Sequence, residues 1–329
     1  MEFNRGGLNK MSHGLEEKNG KLSMAYVGDN PWHRGGVYLG EKEATAEEML
    51  KASGLDWEVS QQEISCGDSI IPDFRAIVRN DTQEVLGIRG GKYVPYQNVD
   101  AFKVLDPFMG TGNACWHTAG VLGKGERIWI QAKLPGHIEV TKNDIIEKYF
   151  LLVNSHNGST GIKLLFSPQR VVCQNTLQMA LVSGQSSIMN IKHTKNHEIK
   201  IKQALKVLGL VEKIAENFET DAKKMYEFKM SDADIDAYLA EIINITGEVK
   251  EKTKLYADKS YIRYRDYLEG GIGTDITGVK GSLWGAYNAV TEAIDHPTRK
   301  VKDLLQYSQF GAGAVIKDRA WKSAKKLIR

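Results

Sequence analysis

Between Lys250 and Tyr267 the chain reads KEKTKLYADKSYIRYRDY, which sets Lys250, Lys252, Lys254, Lys259, Arg263 and Arg265 among Tyr256, Tyr261, Tyr264 and Tyr267. Cations can follow a phosphate backbone while tyrosine rings stack on bases, so the pattern points to single-stranded nucleic acid. On a helix Arg263 lies one turn before Tyr267, and Lys252 one turn before Tyr256. The competing reading is an ordinary solvated helix with half-buried tyrosines. Lys317 to Arg329 is a second basic run, and Lys192, His193, Lys195, Lys200 and Lys202 form a third cluster.

Three other groups carry chemistry-bearing side chains. Arg170 stands in RVVCQN with Cys173 and Asn175. Its guanidinium can grip a phosphate with two parallel bonds, which adds Arg170 to Lys259, Tyr261, Arg263, Tyr264 and Arg265 as a nucleic-acid contact. A structural ion pair is the alternative. Cys173 lacks a nucleophile signature and reads as a buried structural thiol. Asn154, His156, Asn157 and Ser159 fill a turn, where histidine can act as base, metal ligand or phosphate donor, with His33 and His117 as partners. A turn that satisfies its own backbone explains the same residues. Asn288, Glu292, Asp295 and His296 follow i, i+4, i+7, i+8 spacing and share a helical face. With His156, the side chains of Glu292, Asp295 and His296 make a metal set for hydrolysis, though without the HExxH form. The alternative is a polar stripe that docks one half of the chain on the other.

The elements that position these groups follow from apolar patterning. Tyr149 to Val153 and Ile162 to Phe166 flank the turn at Asn154–Ser159 and read as a hairpin that stops at Pro168. A second hairpin joins 74–79 to 84–88 through Asn80-Asp81-Thr82-Gln83. Strands are expected at 55–59, 114–122, 127–134 and 187–193. Thr45 opens a capping box with Glu48, so a helix runs to about Ser53 and ends at Gly54. Gln97 to Met109 reads as a second helix. Trp32, after Pro31, is placed as an anchor on the core.

From about Glu198 the chain turns helical. Ile201, Leu205, Leu208, Val211, Ala215, Phe218, Ala222 and Met225 make one apolar stripe. The stripe is long enough to serve both a core and a neighbouring subunit, so a homo-oligomer is expected. Ser231 or Asp232 caps the next helix, and Ser282 to Ile294 is another, ended at Pro297. The order argues for an α+β fold, with a strand-rich mixed or antiparallel sheet half and then a helical half. The expected divisions are 1–20 as an extension, 21–195 as the strand-rich part and 196–329 as the helical part.

A net charge of +3 over 329 residues singles out no partner by itself. Cys66, Cys115 and Cys173 show no CxxC spacing, which fits a reducing cytoplasm. No apolar run is long enough to span a bilayer, and the N-terminus lacks a signal core, so no membrane association is expected. No P-loop, dinucleotide fingerprint or nucleophile elbow occurs, so no cofactor is expected.

Several segments together resemble the phage/plasmid-like protein family, a domain of unknown function found in phages and conjugative plasmids. They are Met24-Ala25-Tyr26 through Pro31-Trp32-His33, IVRNDTQEVLG with KYVPYQN, HTAG, AKLPG, LLVNSHNGS, RVVCQNTL, WGAYNAVTEAIDH and FGAGAVIKDRA. They follow one order along nearly the whole chain from Met11. The resemblance implies a soluble, intracellular protein of a mobile element, in a setting of DNA replication and recombination, with a role similar to strand annealing. It brings no set of catalytic residues. The expectation is therefore a cytoplasmic phage or plasmid protein that binds single-stranded nucleic acid. The alternatives are a metal-assisted hydrolase and an inhibitor of a host defence factor.

Overall fold

The computed structural model describes residues 15–18, 20–28, 35–41, 43–110, 114–172, 175–176, 189–195, 209–244, 251–298, 301, 304 and 306–329. Residues 1–14 of the expected extension, Trp32, His33, Cys173, Ile201, Leu205, Leu208, Lys200, Lys202 and Lys250 lie outside them.

The apolar run from Tyr149 to Val153 sits inside β10 (Asp144–Ser155), a central strand of the main sheet. β9 (Arg127–Thr141) pairs with one edge of it, and β11 (Ile162–Phe166) and β12 (Gln169–Arg170) pair with the other, all antiparallel. The expected hairpin thus forms, with Phe150 opposite Phe166 and Val153 opposite Lys163. It ends before Pro168, whose missing N–H cannot extend a ladder. β8 (Cys115–Leu122), β3 (Met24–Tyr26) and β4 (Val37–Tyr38) continue the sheet beyond β9, and the β3–β4 pair is parallel. β13 (Asn175–Thr176) and β14 (Met189–Ile191) add short edges.

A separate three-stranded antiparallel sheet comprises β5 (Val59–Cys66), β6 (Ser69–Arg79) and β7 (Val85–Gly90). The expected strand at 55–59 is displaced, because β5 begins only at Val59. Leu55 and Trp57 plug the core instead, and their carbonyls accept from Asn98 Nδ2 at 3.1 Å each rather than joining a ladder.

α1 (Ala46–Ala52) carries both bonds of the Thr45–Glu48 capping box and stops where Gly54 takes a φ of +70°. α2 (Asn98–Leu105) is shorter than expected, because a 3-10 turn containing Pro107 replaces its last turn. The helical half contains α3 (Gly209–Glu227), α4 (Asp232–Ile243), α5 (Glu251–Gly270), α6 (Leu283–Asp295) and α7 (Ala312–Leu327). Ser231 caps α4 with Asp234, and Asn244 ends it in the left-handed region. The architecture is α+β, strands first and helices later.

The two faces of the main sheet differ. Ile130, Ile146, Phe150 and Leu152 belong to one apolar cluster that also holds Phe218 of α3, Trp284 of α6 and Trp321 of α7. The change of composition near Lys195 therefore marks a change of secondary structure within one continuous core. Ala215, Phe218, Ala222 and Met225, the described part of the long stripe, are buried in that core and offer nothing to a neighbouring subunit. On the opposite face Trp129, Leu151, Val153 and Leu165 pack with Leu15, Leu22 and Met24. Trp129 lies across Gly120, where a Cβ would overlap its ring. Leu15 to Leu22, assigned in large part to an extension, are thus part of the fold: Glu16 pairs with Arg79, and β1 (Glu17–Lys18) pairs with β2 (Lys21–Leu22). Among the described residues no helix is long and apolar enough to cross a membrane.

Candidate functional site

Arg170 is positioned by the pairing of β12 with β10, which sets it opposite Ile146. Its Nε and Nη2 donate to the two oxygens of Asp144 at 2.6 and 2.8 Å. Its guanidinium also reaches the carbonyls of Ile272 at 3.3 Å and Gly273 at 3.4 Å. Asp144 accepts a further bond from Trp284 Nε1 at 2.8 Å. Arg170 is 1% exposed, so the phosphate contact assigned to it is corrected. Its guanidinium joins the main sheet to the glycine-rich loop between α5 and α6, and Asp144 joins the sheet to α6 through Trp284. A buried ion pair of this kind needs every donor matched, which leaves no face for a ligand.

The basic and aromatic segment folds as α5, and its faces sort the candidates. Ser260, Tyr264 and Leu268 are buried at i, i+4, i+8 and form the core side. Tyr264 is 2% exposed, and burial pushes its phenol well above its ordinary value, so its assignment as a stacking ring is corrected. Tyr261 donates to Asp236 Oδ1 at 2.6 Å, and Arg265 pairs with Asp232 at 3.1 Å and Asp236 at 3.7 Å. Both are engaged with α4. Burial lowers the Arg265 pKa, but the bond from Asp232 and the nearby negative charges outweigh it, and the net shift is up.

Two of the named cations keep their charge for something else. Lys259 is exposed, and neither it nor Arg263 makes an ion pair among the described residues. Arg263 Nε is buried and has no hydrogen-bond partner among them. Tyr256, 45% exposed, completes a Tyr256–Lys259–Arg263 stripe at i, i+3, i+7 on the outer face of α5. Exposed Asp266 bounds that stripe. The sequence named Tyr256 among the tyrosines but placed the stacking on Tyr261 and Tyr264. Tyr256 lies one turn before Ser260 on the row that continues to Tyr264 and Leu268, yet it is exposed near the start of α5, so the repeat alone does not separate the two tyrosines. The second basic run is engaged within the fold, through Lys317–Asp295 at 2.8 Å, Lys322–Asp318 at 2.6 Å, Lys325–Asp221 at 2.7 Å and Lys326–Glu241 at 2.6 Å. In the third cluster His193 is buried, its ring stacked 4.8 Å from that of Tyr93.

The residues named for a metal take separate partners. His156 is fully buried, with Nε2 2.8 Å from Asn98 Oδ1 and its ring 5.1 Å from Trp57. Glu292 accepts the Ile272 N–H on both oxygens, at 3.0 and 3.1 Å. Burial pushes its carboxyl up, and that bond with the charges of His296 and Arg170 only partly offsets the rise. Asp295 holds Lys317, and the His296 carbonyl accepts from Tyr267 at 2.8 Å. Among the described residues no three His, Cys, Asp or Glu side chains come together as an ion site. The turn at 154–159 is held partly by local bonds, with Ser155 Oγ donating to the Thr160 carbonyl at 2.6 Å and Asn157 Oδ1 accepting from the Ser159 N–H at 2.9 Å, and partly by distant ones, with Asn154 Nδ2 donating to the Tyr96 carbonyl at 3.0 Å. His117 lies elsewhere, with its ring 4.9 Å from that of Tyr149.

One site was not read from the sequence. On the face of the main sheet opposite the helices, Cys115, Lys133 and Tyr149 stand in one cross-strand row, and Glu147 stands opposite His137. Lys133 Nζ donates to Glu147 Oε1 at 2.5 Å, and the Tyr149 hydroxyl bonds the other oxygen. Burial pushes the Glu147 carboxyl up, but these bonds and the charges of Lys133 and His117 prevail, and it lies below its ordinary value. Cys115, Lys133, His137 and Glu147 line a cavity of about 410 Å³ with Glu43, Leu134, Pro135 and Ile145. These residues are far apart in sequence and share no motif, so only the strand register brings them together.

Over residues 85–323 the sequence matches the family described as Domain of unknown function (DUF932). No curated protein and no solved structure is matched.

Proposed function

This chain belongs to the DUF932 family, and from that premise we propose that it binds single-stranded nucleic acid along the outer face of α5, in the service of a phage or plasmid. The observation that carries the reading is the Tyr256–Lys259–Arg263 stripe, in which a half-buried arginine without an ion pair among the described residues stands beside an exposed lysine and an exposed tyrosine. A guanidinium without a carboxylate partner keeps its charge for a charge-assisted bond to a phosphate oxygen. Tyr256 then offers a ring to a base, which requires an unpaired base face and therefore a single strand. Lys259 adds a second phosphate contact. The core-facing row of the same helix holds the backbone of the stripe in place, so little backbone freedom is lost on binding.

Titration of a labelled oligonucleotide at several salt concentrations tests this. Binding of the parent protein is expected to weaken steeply with salt. Lys259→Ala and Arg263→Ala each flatten the slope of log K against log salt by about 0.7. The reading fails if the parent shows no salt-sensitive binding to single strands.

A further inference from the structure

The polar cavity on the open face of the main sheet is independent of the α5 stripe. Its wall continues an apolar surface, since Leu151 and Val153 follow Tyr149 on the same face of β10, and Trp129 precedes Lys133 on the same face of β9. Charged groups gathered in a cavity beside that apolar surface mark a candidate ligand site.

The arrangement of charge indicates which ligand. Glu43, Lys133 and Glu147 line the cavity together with Cys115. Glu147 accepts from Lys133 and Tyr149, and the Lys133 ammonium offsets its charge. Glu43 is exposed and makes no ion pair among the described residues, which leaves a free carboxylate. Lys133 uses one N–H on Glu147, and an ammonium has three donors. The cavity thus presents one open acceptor of negative charge and open donors on a positive charge. Leu134, Pro135 and Ile145 form an apolar wall beside them. A simple anion would meet Glu43, and a simple cation would meet Lys133. A zwitterion satisfies both.

We infer that this cavity binds an α-amino acid with an apolar side chain, the ammonium on Glu43, the carboxylate on Lys133 and the side chain against Leu134, Pro135 and Ile145. A volume of about 410 Å³ accommodates a molecule of that size.

Melting of the full chain with L-leucine, compared with isocaproate and isopentylamine, tests the inference, since each analogue lacks one of the two charges. Leucine raises the melting midpoint, and the two analogues do so less. Glu43→Gln, at an exposed position, weakens leucine binding about tenfold, as does Lys133→Met if its own midpoint shows an intact fold. Three results overturn the inference. The first is an unchanged midpoint with leucine, isoleucine, valine, methionine and phenylalanine at about 10 mM. The second is equal stabilisation by either analogue. The third is leucine affinity unaltered by Glu43→Gln.

Discussion

Arg170 and Asp144, both on the main sheet, meet through two parallel hydrogen bonds of 2.6 and 2.8 Å where the sheet adjoins the helical half. The pair is completed by the indole of Trp284 and by the carbonyls of Ile272 and Gly273. Strand, loop and helix are therefore held by one set of polar contacts inside a single apolar core. Removing one partner leaves the other charge buried. Asp144→Asn is expected to lower unfolding stability by about 3–5 kcal/mol. Replacing Arg170 and Asp144 together by Met and Leu should restore much of that loss. Urea unfolding of Asp144→Asn, Arg170→Met, Asp144→Leu and the double variant measures both effects, and an additive double variant would contradict the pairing.

The loop that receives Arg170 makes a second demand. Gly273 has a φ of +82°, and a Cβ there would lie 2.9 Å from Val172 and 3.0 Å from both terminal nitrogens of Arg170. Gly281 has a similar φ of +77° but open space around it. Gly281→Ala therefore carries backbone strain alone, about 1 kcal/mol. Gly273→Ala adds displacement of the buried arginine and should cost clearly more. Paired denaturation curves of the two variants check the order.

His156 predicts a pH dependence of stability. Burial first, then the charges of His193 and Arg79, hold its pKa down to about 3 from 6.5. Asn98 Nδ2 already donates to the Leu55 and Trp57 carbonyls, so its Oδ1 accepts from His156, which is neutral with the hydrogen on Nε2. Between those two pKa values the unfolded chain binds a proton that the native chain excludes. Stability is thus fully present above about pH 6.5 and falls as pH drops, by at most about 1.4 kcal/mol per pH unit. Melting of the parent and of His156→Gln between about pH 4 and pH 7 should show a shallower acid decline in the variant.

What the sequence revealed divides along physical lines. Local signals were legible: the Thr45 capping box, the Ser231 cap, the hairpin from Tyr149 to Phe166 and the order of strands before helices all reflect contacts between near neighbours. Long-range pairing was not. Arg170 is engaged because Asp144, Ile272 and Gly273 reach it through the tertiary fold, at separations that no spacing rule records. Tyr264 and Tyr256 have the same chemistry and share one i, i+4 row of α5, and only tertiary packing buries the one and leaves the other exposed. The cavity at Cys115, Lys133 and Glu147 exists only once the register of β8, β9 and β10 is set.

The stripe on α5 is tested most directly by comparing two arginines two residues apart in their effect on single-strand binding. Arg263 has no ion-pair partner among the described residues, whereas Arg265 is engaged with Asp232 and Asp236. Oligonucleotide titrations over a range of salt should show Arg263→Ala flattening the log–log slope by about 0.7, with Arg265→Ala leaving it unchanged. Equal slopes for the parent and Arg263→Ala, or a flattening confined to Arg265→Ala, would contradict the account.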